Sequence, residues 1–136
     1  MRPFLPLAVA AFTLAAGAGH AAPRLSPEAQ IAKALVGRVA GKPTDCILQR
    51  NIRSTQIIGG TAILYEMNGG VIYLNRVASG GSFLHSDLAL VTDTHSPQLC
   101  SIDIVRLYDT LSRFERGTVG LGPFVPYTKP GRTRGM

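Results

Sequence analysis

The chain has no tryptophan, three histidines and two cysteines among its 136 residues. Each scarcity removes a class of chemistry. Cys46 and Cys100 stand too far apart for the C-x-x-C pair of a dithiol oxidoreductase, and two cysteines cannot supply the paired ligands of a zinc finger. None of the serines at 79, 82, 86, 96, 101 and 112 lies in a G-x-S-x-G elbow, so the usual strand-to-helix nucleophile is missing. No internal repeat is present, and no low-complexity tract apart from the C-terminus. Long hydrophobic runs are also missing: the apolar stretch from Phe4 to Ala16, broken by Pro6 and Thr13, is shorter than the ~18 to 20 residues that span a bilayer.

That short stretch has a different meaning. Arg2 precedes it, and small residues follow at Gly17, Ala18, Gly19, Ala21 and Ala22. A charged start, a short apolar core and a small-residue zone are the three parts of a secretory signal peptide, which places 1–21 in a cleaved segment with the cut after Ala21. About 115 residues then remain, enough for one domain with one modest core. Export, to the periplasm or the medium, would deliver Cys46 and Cys100 to an oxidising compartment, where pairing is the default. A bridge closing so long a loop stabilises by roughly 4 kcal/mol in the chain-entropy model.

The formal net charge of +6 suggests an anionic partner until the charges are located. Arg2, Lys129, Arg132 and Arg134 supply four of the fourteen basic residues, and the remaining ten face eight acids. The body is therefore nearly balanced, and the excess sits in 129–136, a basic tail too poor in apolar residues to pack. Arg50, Arg53, Arg76 and Arg106 with Tyr65 and Tyr73 could form a basic-aromatic face. Surface solvation and cross-strand pairing with Glu66 or Asp103 account for those arginines, and no nucleic-acid partner is expected.

Within the body, Ser26-Pro27-Glu28 is a helix start: an N-cap, a proline at the first position and an acid in the first turn. Ile31, Ala34, Leu35 and Val39 recur at helical spacing, which predicts a helix over 27–39 ended by Gly41 and Pro43. Residues 22–44 are thus a helical lead-in, and 45–128 form the β domain. Gly59-Gly60 and Asn68-Gly69 separate apolar runs as hairpin turns do. A two-residue turn at Asn68-Gly69 would set Met67 against Gly70 and Tyr65 against Ile72. Ile63, Tyr65, Met67, Ile72 and Leu74 would then share one face, with Leu64, Val71, Tyr73 and Val77 on the other. Both faces are apolar, so the hairpin belongs in the middle of the fold. Further strands are expected at 88–92, 102–108 and 118–125, the last interrupted at Pro123, with loops at 78–87 and 109–117. The sum is a mainly β, single-domain barrel or sandwich of about six short strands with one short N-terminal helix.

Candidate chemistry is thin. His85-Ser-Asp87 and Asp93-Thr-His95 each place a ring nitrogen and a carboxylate two residues apart, on one side of extended chain. A ligand or metal held by His85, Asp87, Asp93 and His95 would need the two pairs to converge, because they flank the strand at 88–92. No catalytic residue, resident metal or cofactor is indicated beyond that possibility.

Three runs have the character of signatures: Cys46-Ile-Leu-Gln-Arg-Asn-Ile-Arg-Ser54, Gln98-Leu-Cys-Ser-Ile-Asp103 and Leu121-Gly-Pro-Phe-Val-Pro-Tyr127. With Gly41-Lys-Pro-Thr-Asp-Cys46 and Tyr73-Leu-Asn75 they resemble a family of small exported proteins of Gram-negative bacteria known only as a domain of unknown function. The resemblance runs over about 37–127 and implies a compact exported domain with Cys46 and Cys100 paired. Many members of that family carry a further cysteine pair near residues 81 and 118, where this chain has Ser79-Gly-Gly-Ser-Phe83 and Gly117-Thr-Val-Gly120. That departure predicts a less constrained 78–87 loop. Ser79–Phe83 also faintly resembles the Ser-Gly-x-x-Tyr loop of periplasmic lysozyme inhibitors, with Phe in place of Tyr.

Two functions from different classes follow. One is a noncatalytic envelope module that binds a protein, a cell-wall component or a small ligand through loops 78–87 and 109–117. The other is a small hydrolase or metal-dependent enzyme using His85, Asp87, Asp93 and His95.

Overall fold

A computed structural model describes residues 17–131. Most of the expected signal segment (1–16) and the end of the basic tail (132–136) lie outside the described residues. Residues 17–26 are exposed and without regular structure. The described residues then form a helix α1 (Pro27–Ala34) and ten strands: β1 (Val39–Ala40), β2 (Cys46–Leu48), β3 (Ile52–Ile58), β4 (Ala62–Met67), β5 (Ile72–Arg76), β6 (Ala89–Thr92), β7 (Gln98–Cys100), β8 (Ile104–Asp109), β9 (Phe114–Gly120) and β10 (Phe124–Thr128). They build three antiparallel sheets, ordered β1-β10-β5-β4-β3, β6-β8-β9 and β2-β7. The mainly β expectation holds, as an open sandwich with no closed barrel and with ten strands in place of six.

The helix starts as expected. Ser26 Oγ accepts from the Ala29 N–H at 3.2 Å, and Glu28 meets Arg76 at 2.7 and 3.0 Å, which holds the Glu28 carboxyl below its usual range. It ends earlier than the periodicity predicts. Gly37 takes φ +72°, the left-handed conformation that turns a chain out of a helix. Val39, expected to be the last helical residue, pairs instead with Thr128, and Ala40 pairs with Tyr127. Ile31 and Leu35 still pack, covering Ile58, Ala62, Leu64 and Leu74 on the outer face of the five-stranded sheet.

The central hairpin differs by one residue. Its turn has three residues, Asn68–Gly70, with Gly69 and Gly70 at φ +97° and +93°, and the Met67 N–H donates to the Val71 carbonyl at 2.8 Å. Tyr65 therefore faces Tyr73 and Leu64 faces Leu74. Because side chains alternate, that slip exchanges the faces of β5. Ile72 and Leu74 go to the helix side, while Val71 and Tyr73 join Ile63, Tyr65 and Met67 in the main core. The core lies between the sheets and is completed by Ile47, Leu84, Leu99, Val105, Leu107, Val119, Leu121 and Phe124. The expectation that β4 is buried on both faces is met.

Two expected segments are redrawn. The 109–117 loop is only a tight turn at 110–113, after which Phe114 opens β9. The single strand expected over 118–125 is the end of β9 and the start of β10, which lie in different sheets. The crossing is made at 121–123, where Asn75 holds both backbone groups of Gly122.

Candidate functional site

The 78–87 loop is firmly held. Ser79 pairs with Gly120, Gly81–Phe83 form a single 3-10 turn, and Gly80 sits at φ +73° so close to β9 that a Cβ there would fall 2.2 Å from the Thr118 carbonyl oxygen. Phe83 lies across Gly117, whose own Cβ would meet that ring at 2.8 Å. Without a cysteine pair at these places, glycines let 79–83 press onto 117–120.

His85 and Asp87 leave this loop exposed and, with Phe83, Leu88 and Arg116, border a cleft of about 380 Å³. Asp93 and His95 are exposed beyond the other end of β6. Among the described residues, no three of His, Cys, Asp and Glu gather closely enough to hold a metal ion. Cys46 and Cys100 stand directly opposite on β2 and β7 and are bonded, with their Cα atoms 4.0 Å apart. Of Arg50, Arg53, Arg76 and Arg106, three are paired: Arg53 with Glu66, Arg76 with Glu28 and Arg106 with Glu115. Asp103, the other expected partner, accepts instead from the Cys100 N–H at 2.6 Å.

The tip of the β8–β9 hairpin is ordered by one carboxylate. Asp109 Oδ1 accepts from the N–H groups of Leu111 and Ser112 at 2.9 and 3.1 Å, and Oδ2 faces Arg116 at 3.3 Å. The Ser112 N–H and hydroxyl, then the Leu111 N–H and the Arg116 charge, hold this carboxyl below the ordinary aspartate range. A lowered pKa means that the turn's support is complete above the unfolded-state value, about 3.9, and is lost as pH falls through the folded-state value. Amide protection at Leu111 and Ser112 should therefore fall in acid while the core amides hold. Asp109→Asn should abolish that pH dependence in a hydrogen-exchange series.

A recess larger than that cleft lies where the sequence pattern gives little sign of one. β3 ends the five-stranded sheet and β6 ends the three-stranded one, and the two edges do not pair with each other. Between them runs a slot of about 680 Å³. β3 contributes Ile52, Thr55, Gln56 and Ile57, the β6 side contributes Ser86, Leu88, Ala89, Leu90 and Thr92, Gln30 of α1 borders it, and Tyr65 of β4 lies beneath. Both ends are tied. The Gly60 N–H donates to the Leu84 carbonyl at 2.8 Å at one end, and the Gln49 side chain bonds Thr94 at the other. Among the described residues, no Lys, Arg, Asp, Glu or His borders the slot. The available signal was the polar run Arg53-Ser-Thr-Gln56, which breaks hydrophobic alternation as an edge strand does.

Tyr65 is 2% exposed, and its hydroxyl has no hydrogen-bond partner among the described residues. Burial pushes its ionisation above the ordinary tyrosine range, so it stays a neutral donor. Its ring meets Phe124 edge-on at 5.7 Å. An unpaired buried hydroxyl costs about 1–3 kcal/mol. Tyr65→Phe keeps the ring and removes that group, so it should raise the melting temperature by about 3–6 °C in a thermal unfolding scan. A fall would show that the hydroxyl is a stabilising group.

Comparison with family models, with curated proteins and with solved structures finds no match for this chain.

Proposed function

We propose that this is an exported module of the bacterial envelope, periplasmic or secreted, that binds another molecule and does no chemistry on it. The slot between β3 and β6 carries the reading: it joins an uncharged lining to a buried hydroxyl without a partner, on a scaffold held by a disulfide. A binding site needs a preformed recess with a few placed polar groups, and this arrangement supplies one. The charged start and short apolar run support export.

The test is affinity capture from the source organism's envelope extract, with mass spectrometry reading proteins and small molecules. Baits are the intact protein, a version ending at Thr128, and Thr55→Trp, whose larger side chain fills the slot. A ligand retained by the first two and lost by the third is the expected result. Loss with the shortened bait would move the site to the tail. Purified protein cut after Ala21 would support export, and an intact N-terminus would count against it.

The enzyme reading has one observation in its favour, the cleft that brings His85 and Asp87 beside Arg116. A hydrolase activity lost in a His85→Ala, His95→Ala double variant would replace the binding reading.

A further inference from the structure

The chemistry of the slot's occupant can be narrowed further, and this step rests on the binding reading above. Every residue of an edge strand carries a backbone donor and acceptor, and alternate residues direct theirs away from the sheet. Along β3, the outward groups of 54–57 have no backbone or side-chain partner among the described residues. Among the described residues β6 pairs with β8 alone, so its groups facing the slot have no strand beside them either. A β-bulge at Arg53 closes the regular edge on one side, and the Gly60–Leu84 bond closes it on the other. The open edge is therefore about five residues long, near 17 Å at strand rise.

The lining states what such a ligand must be. The walls are partly exposed and carry no charge, so a charged side chain that a bound segment pressed against Leu88 would be covered without a counter-ion, and an unpaired buried ion costs several kcal/mol. Apolar groups alone would be an incomplete match. An acyl chain would cover Ile57, Leu88 and Leu90 but leave the strand-edge amides and the Tyr65 hydroxyl without partners. A polypeptide backbone satisfies both requirements: its own amides pair with the edge, and every second side chain turns onto the apolar floor.

We propose that the slot binds an extended, uncharged segment of another polypeptide, which adds to the free edge of β3 as a further strand and turns alternate apolar side chains toward Leu88 and Leu90. Tyr65 donates its hydroxyl to a carbonyl of that segment once the side chains above it part, because its oxygen is closed to solvent in the free protein.

The experiment pans a displayed library of random twelve-residue peptides on the purified, disulfide-bonded protein, with Thr55→Trp as the subtraction control. Enriched peptides should share a stretch of uncharged residues with apolar side chains at every second position and no proline. A synthetic peptide carrying that stretch should slow amide exchange at 54–57 at least tenfold. Tyr65→Phe, which leaves the fold intact, should weaken the peptide three- to tenfold, in line with one lost hydrogen bond.

No enrichment over the filled variant overturns the proposal, as does protection that maps to the His85–Arg116 cleft or to the hairpin tip. Protection of 54–57 that rises with protein concentration alone would assign the edge to a second copy and also overturn it. The two readings can fail separately. A small molecule captured from envelope extract and lost with Thr55→Trp, with no peptide bound, would sink the peptide assignment and leave the binding module standing. Empty results in both would sink both.

Discussion

Replacing Cys46 or Cys100 with serine is expected to lower the melting temperature by roughly 10–20 °C. The bond joins residues 54 apart, a loop whose closure in the unfolded chain is worth about 4 kcal/mol. That is a large part of the 5–15 kcal/mol that holds a typical domain. Local structure makes the dependence sharper. β2 and β7 form an isolated ribbon of three residue pairs, and such a ribbon is marginal without support. Yet its central pair, Ile47 and Leu99, is 4% and 1% exposed and belongs to the core. Loss of the bond therefore loosens a core wall along with the loop. Reductant should bring wild type down to the variant and leave the variant unmoved. A difference of only two or three degrees between wild type and variant would mean that the ribbon is held by packing alone.

Asn75→Ala is expected to cost about 2–4 kcal/mol, the next largest effect. Asn75 is fully buried, donating Nδ2 to the Gly122 carbonyl at 2.6 Å and accepting from the Gly122 N–H at 2.9 Å. Removing the side chain strands two buried backbone groups at the point where the chain leaves one sheet for another. Nothing else can step in easily, because Gly122 already sits so close to Arg76 that a Cβ would fall 2.4 Å from its carbonyl oxygen. Asn75→Asp is the more informative variant. At neutral pH it places a carboxylate against a carbonyl and loses the donor. In acid the protonated carboxyl regains one, so its deficit against wild type should shrink as pH falls toward the carboxyl range. Denaturant unfolding at several pH values reads this directly, and a deficit that is flat with pH would show that Asn75 acts through shape alone.

These two residues also show what could be read without coordinates. The disulfide followed from cysteine count and the expected compartment, because pairing needs little geometry when only two partners exist. The helix start, the two glycine turns and the buried hairpin were legible because each is a local signal. Asn75 was visible only as part of a run of unusual residues; its partner lies 47 positions away, and no local pattern announces such a bond. The hairpin register failed over one residue, since a second glycine at position 70 let the turn take three residues where Asn-Gly alone suggests two. The slot was hidden for a deeper reason. An edge is defined by which strand is missing beside it, and the strand order is a property of the assembled sheets. The Arg53–Gln56 run gave the only hint. The His and Asp pairs were easy to notice and fall at opposite ends of β6, where proximity in sequence brought only His85 and Asp87 to a common cleft.

The pairing of β1 with β10 has a consequence in time. The first strand of the domain lies against the last, and β10 sits between β1 and β5. A chain released from its N-terminus, by a ribosome or through a membrane channel, can form the β3–β4–β5 meander early but cannot finish its main sheet until Thr128 is free. Cys46 likewise waits as an open thiol until Cys100 arrives. Such long-range closures are slow, and they leave the strand edges of the unfinished sheet uncovered meanwhile. Folding of this protein should accordingly be an event that follows complete delivery of the chain, with a window in which a chaperone or a thiol oxidant decides the yield.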